Sequence, residues 1–215
     1  MYRHNSSTED PTLTIVHNAY THLEKTGSFV QILFIDFSST FNTIQPHLMA
    51  SKFLKLNVNP RLILCIVDFL VSHSQTVHHQ AVLSSSHSIA TGSSQGTVLS
   101  PVRFTLYIND CTGTDTTPVI KNSDSSAVED LSSSDSVYFA EVKRFSNWCR
   151  YNSLDLHVKK TKEMLIDFRK AQTDIPDLFI DGVKVERVTE YKYLGTVLDN
   201  KLNFNKNTDF IHKRC

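Results

Sequence analysis

Residues Phe29-Val30-Gln31-Ile32-Leu33-Phe34-Ile35 form a nearly continuous apolar, β-branched run that stops at Asp36. Such a run predicts a buried strand, because branched and aromatic side chains pack well on a pleated surface covered on both faces. It also places a carboxylate at a sheet rim.

The surrounding segments supply covering layers. Leu13, Val16, Ala19, Tyr20 and Leu23 recur at helical spacing over Thr12 to Lys25, with Gly27 as a stop. Pro46 to Leu56 reads as a helix with proline in its first turn. Arg61 to Ser72 reads as a second, mostly buried helix. Gln75 to Thr91 alternates weakly and predicts a poor hairpin. Thr97 to Asn109 reads as a helix with Pro101 near its start. Val119 to Leu131 predicts a hairpin around Asp124. Ser136 to Tyr151 predicts a helix with Val137, Phe139 or Ala140, Phe145 and Trp148 inward. Lys162 to Phe168 reads as a strand. Leu178 to Val185 folds about Asp181-Gly182 as a hairpin, and Tyr191 to Leu198 opens another strand pair. Helices and hairpins interspersed in this way give an α+β fold.

Composition narrows the partners. Among 215 residues Lys+Arg and Asp+Glu both number 22, so the formal charge is zero. Polynucleotide binding rests on cationic side chains, and here only a local patch could supply them. Cys65, Cys111, Cys149 and Cys215 are too scattered for zinc and read as reduced thiols. With no signal peptide and no apolar stretch near the ~20 residues of a membrane span, the expectation is an intracellular protein, cytoplasmic or nuclear.

Three segments carry candidate chemistry. Asp36 ends the apolar strand, where it could hold a hard cation through oxygen or simply cap the next turn. Thr91 to Pro101 (TGSSQGTVLSP) could let a ligand approach the backbone at Gly96 beside the Gln95 amide, or be an ordinary helix-capping loop. Asp124 lies in a serine-rich turn and reads alone as a surface aspartate. His78, His79 and His87 are close in sequence, and a solvated hairpin is preferred for them over a metal site.

Taken in order, these segments resemble a family. Phe34-Ile35-Asp36-Phe37-Ser38-Ser39 with Phe41-Asn42-Thr43-Ile44, then Ser94-Gln95-Gly96 with Leu99-Ser100-Pro101, are similar to motifs A and B of non-LTR (LINE-type) retrotransposon reverse transcriptases. Leu154 through Lys170 resembles motif D, and Tyr191-Lys192-Tyr193-Leu194-Gly195-Thr196 resembles motif E. The resemblance implies a polymerase palm with an antiparallel sheet, helices packed on one face, a fingers remnant at 1–28, the palm at 29–185, a primer-grip hairpin at 186–204 and the start of a truncated thumb at 205–215.

It also implies RNA-directed DNA synthesis by two Mg²⁺ or Mn²⁺ ions, on an RNA template, a DNA primer and deoxynucleotides. Asp36, Asp124 and the Phe37 carbonyl would ligate metal, and Lys160 would stand near the departing pyrophosphate. Phe41 would be the steric gate, Gln95 and Gly96 would line the nucleotide pocket, and Tyr193, Leu194 and Gly195 would seat the primer end.

The same alignment exposes departures. The family's aromatic–Ala–Asp–Asp box here reads Asn122-Ser123-Asp124-Ser125, so Ser125 replaces a carboxylate. Glu129 puts a charge in a strand expected to be buried, where it must shift its pKa or open the strand. Arg103 and His157 replace an apolar residue and an asparagine. The expected activity is therefore impaired, the alternative being a non-catalytic nucleic-acid-binding remnant. Trp148 to Lys170 also resembles a stretch of alkylated-DNA-repair dioxygenase and methyltransferase homologues. That reading is disfavoured, since an iron site needs two histidines and a carboxylate on one open face and no glycine-rich methyl-donor loop is present.

Overall fold

The computed structural model describes residues 10–38, 44–71, 74–80, 82–88, 99–122, 125–170 and 174–213. In chain order α1 (Asp10–Leu23), β1 (Val30–Ser38), α2 (Pro46–Lys55) and α3 (Pro60–Val71) come first. Four two-residue strands follow: β2 (Ser74–Gln75), β3 (His78–His79), β4 (Val82–Leu83) and β5 (His87–Ser88). Next are α4 (Leu99–Tyr107), β6 (Val119–Asn122), β7 (Ser125–Asp130), α5 (Asp135–Tyr151), β8 (Asp155–Leu156) and β9 (Lys162–Ile166). The chain closes with β10 (Phe179–Ile180), β11 (Val183–Lys184), β12 (Glu186–Arg187), β13 (Glu190–Tyr193), β14 (Thr196–Asp199) and α6 (Asn205–His212).

Two compact units result. One takes in Met1–Phe37, Cys111–Trp148 and Leu156–Cys215; the other Ser38–Asp110 and Cys149–Asp155. The first is built on a sheet of order β12-β9-β1-β7-β6. The apolar run is its central strand, antiparallel to β7 on one side and β9 on the other. Every pairing along that path is antiparallel except β12, which runs parallel to β9.

Alternation along β1 sorts its side chains between the two faces. Val30, Ile32 and Phe34 point to a core shared with Ile15, Val16 and Ala19 of α1, Ala127, Met164 and Ile166 of the sheet, and Tyr193, Leu198 and Leu202. Phe37 lies on the other face, its ring 6.4 Å from Phe145 of α5. The expected helical layer is thus α5, and α1 adds a helix on the opposite face beside the β13–β14 hairpin.

The phase of α5 differs from the sequence expectation. Tyr138, Val142, Phe145 and Cys149 are buried, while Val137 is exposed. Two apolar stripes compete on this helix, and the one that includes Tyr138 wins because it reaches the buried Glu163 side of the sheet. The expected Asp181-Gly182 turn forms, and a second tight turn falls at Leu194-Gly195 within the expected strand pair; both carry positive φ, the signature of primed two-residue hairpins.

In the second unit Met49, Phe53, Phe104 and Tyr107 are buried. The Lys52 ammonium is held by the Tyr107 carbonyl at 2.7 Å and Asp110 Oδ1 at 2.6 Å. Arg103 is buried with its guanidinium 4.9 Å from the Phe69 ring. α3 is less buried than its composition predicts: Ile63 and Leu70 are covered, but Leu62, Leu64, Phe69 and Val71 are largely exposed. The predicted poor hairpin is two short ladders, β2–β5 enclosing β3–β4.

Candidate active site

The strand carrying Asp36 does not end there but runs on to Ser38. Asp36 therefore sits within a ladder, in direct register with Ser125 of β7. Residues so paired share a face, with Cβ atoms roughly 5 Å apart. The Asp36 side chain is 34% exposed, at the wet end of the row that begins with Val30, Ile32 and Phe34.

A turn after β8 is pinned to the Asp36 peptide. The His157 N–H donates to the Asp36 carbonyl at 2.9 Å. The His157 carbonyl accepts from the N–H groups of Lys160 (2.8 Å) and Thr161 (2.9 Å). This turn delivers Lys160 Nζ to 3.6 Å from Asp36 Oδ2. The lysine side chain is 66% exposed, so the pair is bathed in water and contributes at most about 1 kcal/mol to stability.

Ser125 offers no charge to this place, and its buried Oγ finds no hydrogen-bond partner among the described residues. The Phe37 ring is buried on the opposite face of the sheet. On Asp36's own face, Tyr191 stacks on Phe34 at 4.5 Å with planes 19° apart, and Tyr193 packs on the same ring at 5.3 Å. The Tyr191 hydroxyl is harder to ionise than usual, first because it is buried and then because the Asp36 carboxylate opposes a second negative charge. Tyr191 is not among the site residues that the sequence points to. A signal for it exists, since it shares a strand face with Tyr193 two residues on.

The structure thus brings Asp36, Lys160 and Ser125 together, with Tyr191 beside them. Tyr193 is 2% exposed and packs into the core; Leu194 and Gly195 form the turn of its hairpin. Asp124, Phe41, Gln95 and Gly96 lie outside the described residues. β6 and β7 flank the Asp124 position, with Asn122 paired to Ser125.

Glu129 lies four residues along β7 from Ser125 and is wholly buried. It receives one hydrogen bond, from Asn18 Nδ2 at 3.0 Å, and burial drives its pKa up to about 8 against the pull of that bond. Its neighbour Asp130 faces the other side of the sheet, is also buried and is also shifted up by burial. Among the described residues no group of three or more His, Cys, Asp or Glu side chains could hold a metal ion. A His-x-Glu spacing does occur at His22 and Glu24, but His22 is buried against the Ser133 hydroxyl at 2.8 Å while Glu24 is exposed. No described helix is long and apolar enough to cross a membrane.

No protein-family model matches the chain. Curated relatives do. A probable RNA-directed DNA polymerase from transposon X-element of Drosophila melanogaster is 24% identical over 193 residues, covering 85% of this chain and 21% of the relative. The RNA-directed DNA polymerase from mobile element jockey is 27% identical over 188 residues in Drosophila melanogaster (80% of this chain, 20% of the relative) and 24% identical over 218 residues in Drosophila funebris (95% and 23%). The chain therefore spans about a fifth of the length of these relatives.

Among solved structures, apo telomerase from Candida tropicalis truncated from its C-terminal domain superposes with TM-score 0.64 at 12% identity, covering 94% of this chain and 40% of that one. Telomerase from Candida albicans in complex with a TWJ fragment of telomeric RNA gives 0.59 at 12%, covering 94% and 35%. At such identity the likeness speaks to the palm-like α+β fold. Over 80–95% of its length the chain is similar in sequence to RNA-directed DNA polymerases of LINE-type retrotransposons.

Proposed function

We propose that this chain is a reverse-transcriptase palm whose nucleotidyl-transfer site is impaired, and that what remains is weak binding of an RNA template and DNA primer. The observation that carries the reading is the Asp36–Ser125 register with Lys160 beside it. Two hard cations need several anionic oxygens around them. The described donors are one carboxylate, one neutral hydroxyl and the Phe37 carbonyl, with a solvated lysine ammonium 3.6 Å from the carboxylate. Asp124 adds one more carboxylate by sequence position. This donor set does not fit a pair of Mg²⁺ or Mn²⁺ ions and supports no catalytic step through them.

Within this reading the remaining roles follow the resemblance. Phe41, Gln95 and Gly96 border the nucleotide position, and Lys160 stands near where the pyrophosphate would leave, beside Asp36. Tyr193, Leu194 and Gly195 belong to the primer-grip hairpin at 186–204, after a palm at 29–185. Packing of Tyr191 and Tyr193 on Phe34 supports that assignment, because it ties the hairpin to the strand bearing Asp36. The Candida albicans telomerase is in complex with an RNA fragment, and template binding by this chain is extended from there. With a net charge of zero, such binding is weak and lost as salt rises.

Primer extension on an RNA template with Mg²⁺ or Mn²⁺ tests the reading. The expected result is extension no greater than that of Asp36→Ala. Template-dependent extension that Asp36→Ala abolishes would show an active polymerase.

A further inference from the structure

We infer that Glu129 is a proton-carrying latch that holds α1 against the sheet, so that docking of α1 depends on pH. The geometry is that of a carboxyl group sealed between two elements. Glu129 is in register with Ile32 on β7, and its side chain enters the core formed by Ile15, Val16 and Ala19 of α1 with Ile32, Phe34 and Met164. It is 0% exposed. Oε2 accepts from Asn18 Nδ2 of α1, while Oε1 has no hydrogen-bond partner among the described residues.

Among the described residues, the groups around it supply no compensating charge. From α1 the polar contact is the neutral Asn18 amide, and His22, one turn on, is engaged by Ser133. From β1 the facing residue is Ile32, and from the β13–β14 hairpin the titratable groups in this core are Tyr191 and Tyr193. Asp130 and Glu163 lie on the opposite face, the latter paired with Arg187 at 2.8 Å.

A carboxylate left here would be unpaired in an apolar medium. The neutral acid is tolerated, and the single amide bond from Asn18 only partly offsets the cost of the charged form. Burial moves its titration toward pH 8, so loss of the proton falls within an accessible range. The charged form then has two outlets: water enters, or α1 lifts away. Because α1 covers the sheet while β7 carries Ser125 opposite Asp36, the latch also couples proton binding to the strand that shapes the candidate site.

Carboxyl NMR titration of the ¹³C-glutamate-labelled chain reads the proton directly. One glutamate, missing in Glu129→Gln, is expected to titrate near 8, and a midpoint for it in the ordinary range near 4.5 would overturn the inference. Backbone amide exchange over Asp10–Leu23, corrected for intrinsic rates, reads the latch. Protection is expected to fall at least tenfold above the midpoint in the natural chain and to stay constant in Glu129→Gln. Equal loss in both proteins would show that α1 does not respond to this proton. Should Glu129→Gln fail to fold, Asn18→Leu serves instead: removing the amide that favours the charged form must move the midpoint upward, and an unchanged midpoint would count against the latch.

Discussion

Two hairpins flank the strand that carries Asp36, and they have fared differently. The β13–β14 hairpin is a packing element. Its tyrosines lie on Phe34, its turn has the positive φ angles a tight hairpin needs at Leu194 and Gly195, and Leu198 joins the same core. By the resemblance, the β6–β7 pair is the charge-bearing element of the site. In this chain it presents Ser125 where a carboxylate is expected, and it buries Glu129 and Asp130 where apolar residues would be cheaper. On the proposed reading, shape has been kept and the charge of the metal site has not. A fold survives as long as apolar rows still match; a metal site fails on the loss of a single charge.

The largest expected effect lies on the altered hairpin. Glu129 holds its proton to about pH 8 when folded and loses it near 4.5 when unfolded. The folded state therefore binds more protons between those values, and stability falls as pH rises through that window, then levels off. The linkage is worth on the order of 5 kcal/mol. Urea melts from pH 5.5 to 9 should show this decline in the natural chain and a much flatter profile in Glu129→Gln. On the packing hairpin's side, Phe34→Ala should cost about 4 kcal/mol by urea melting, since it strips both tyrosines of their partner. A loss below about 1 kcal/mol would mean that the two hairpins are not different in kind. Smaller still is Gly195→Ala. The added Cβ meets nothing within 4 Å, but φ is +91°, so the substitution should cost about 1–2 kcal/mol through backbone strain alone.

The same division explains what could be read from the chain. β1, α1, α2 and the Asp181-Gly182 turn are legible because single strong signals fix them: an apolar run, a helical spacing, Pro46 and the Asp-Gly pair. The phase of α5 is not. Phe145 is buried as expected, but Tyr138, Val142 and Cys149 take the covered positions in place of Val137 and Ala140, and only the sheet decides between the two stripes. The exposure of α3 is likewise hidden, because composition says which helix is apolar but not what covers it. Parallel pairing of β12 on β9 joins segments with no local signal. At the site, the shifted acidity of Glu129 follows from a charge in an apolar strand. The pinning of Lys160 beside Asp36 rests on backbone hydrogen bonds at His157 that no side chain announces.

On the proposed reading Ser125 marks a missing charge, and Mn²⁺ binding tests this most directly. Electron paramagnetic resonance titration of free Mn²⁺ against the natural chain, Ser125→Asp and Asp36→Asn separates the possibilities. A carboxylate restored opposite Asp36 should tighten binding by about tenfold, roughly 1.4 kcal/mol, and Asp36→Asn in the same background should abolish the gain. If the natural chain already binds Mn²⁺ as tightly as Ser125→Asp, through Asp36, then the site has not lost the charge it needs, and an impaired metal site is the wrong description of this protein.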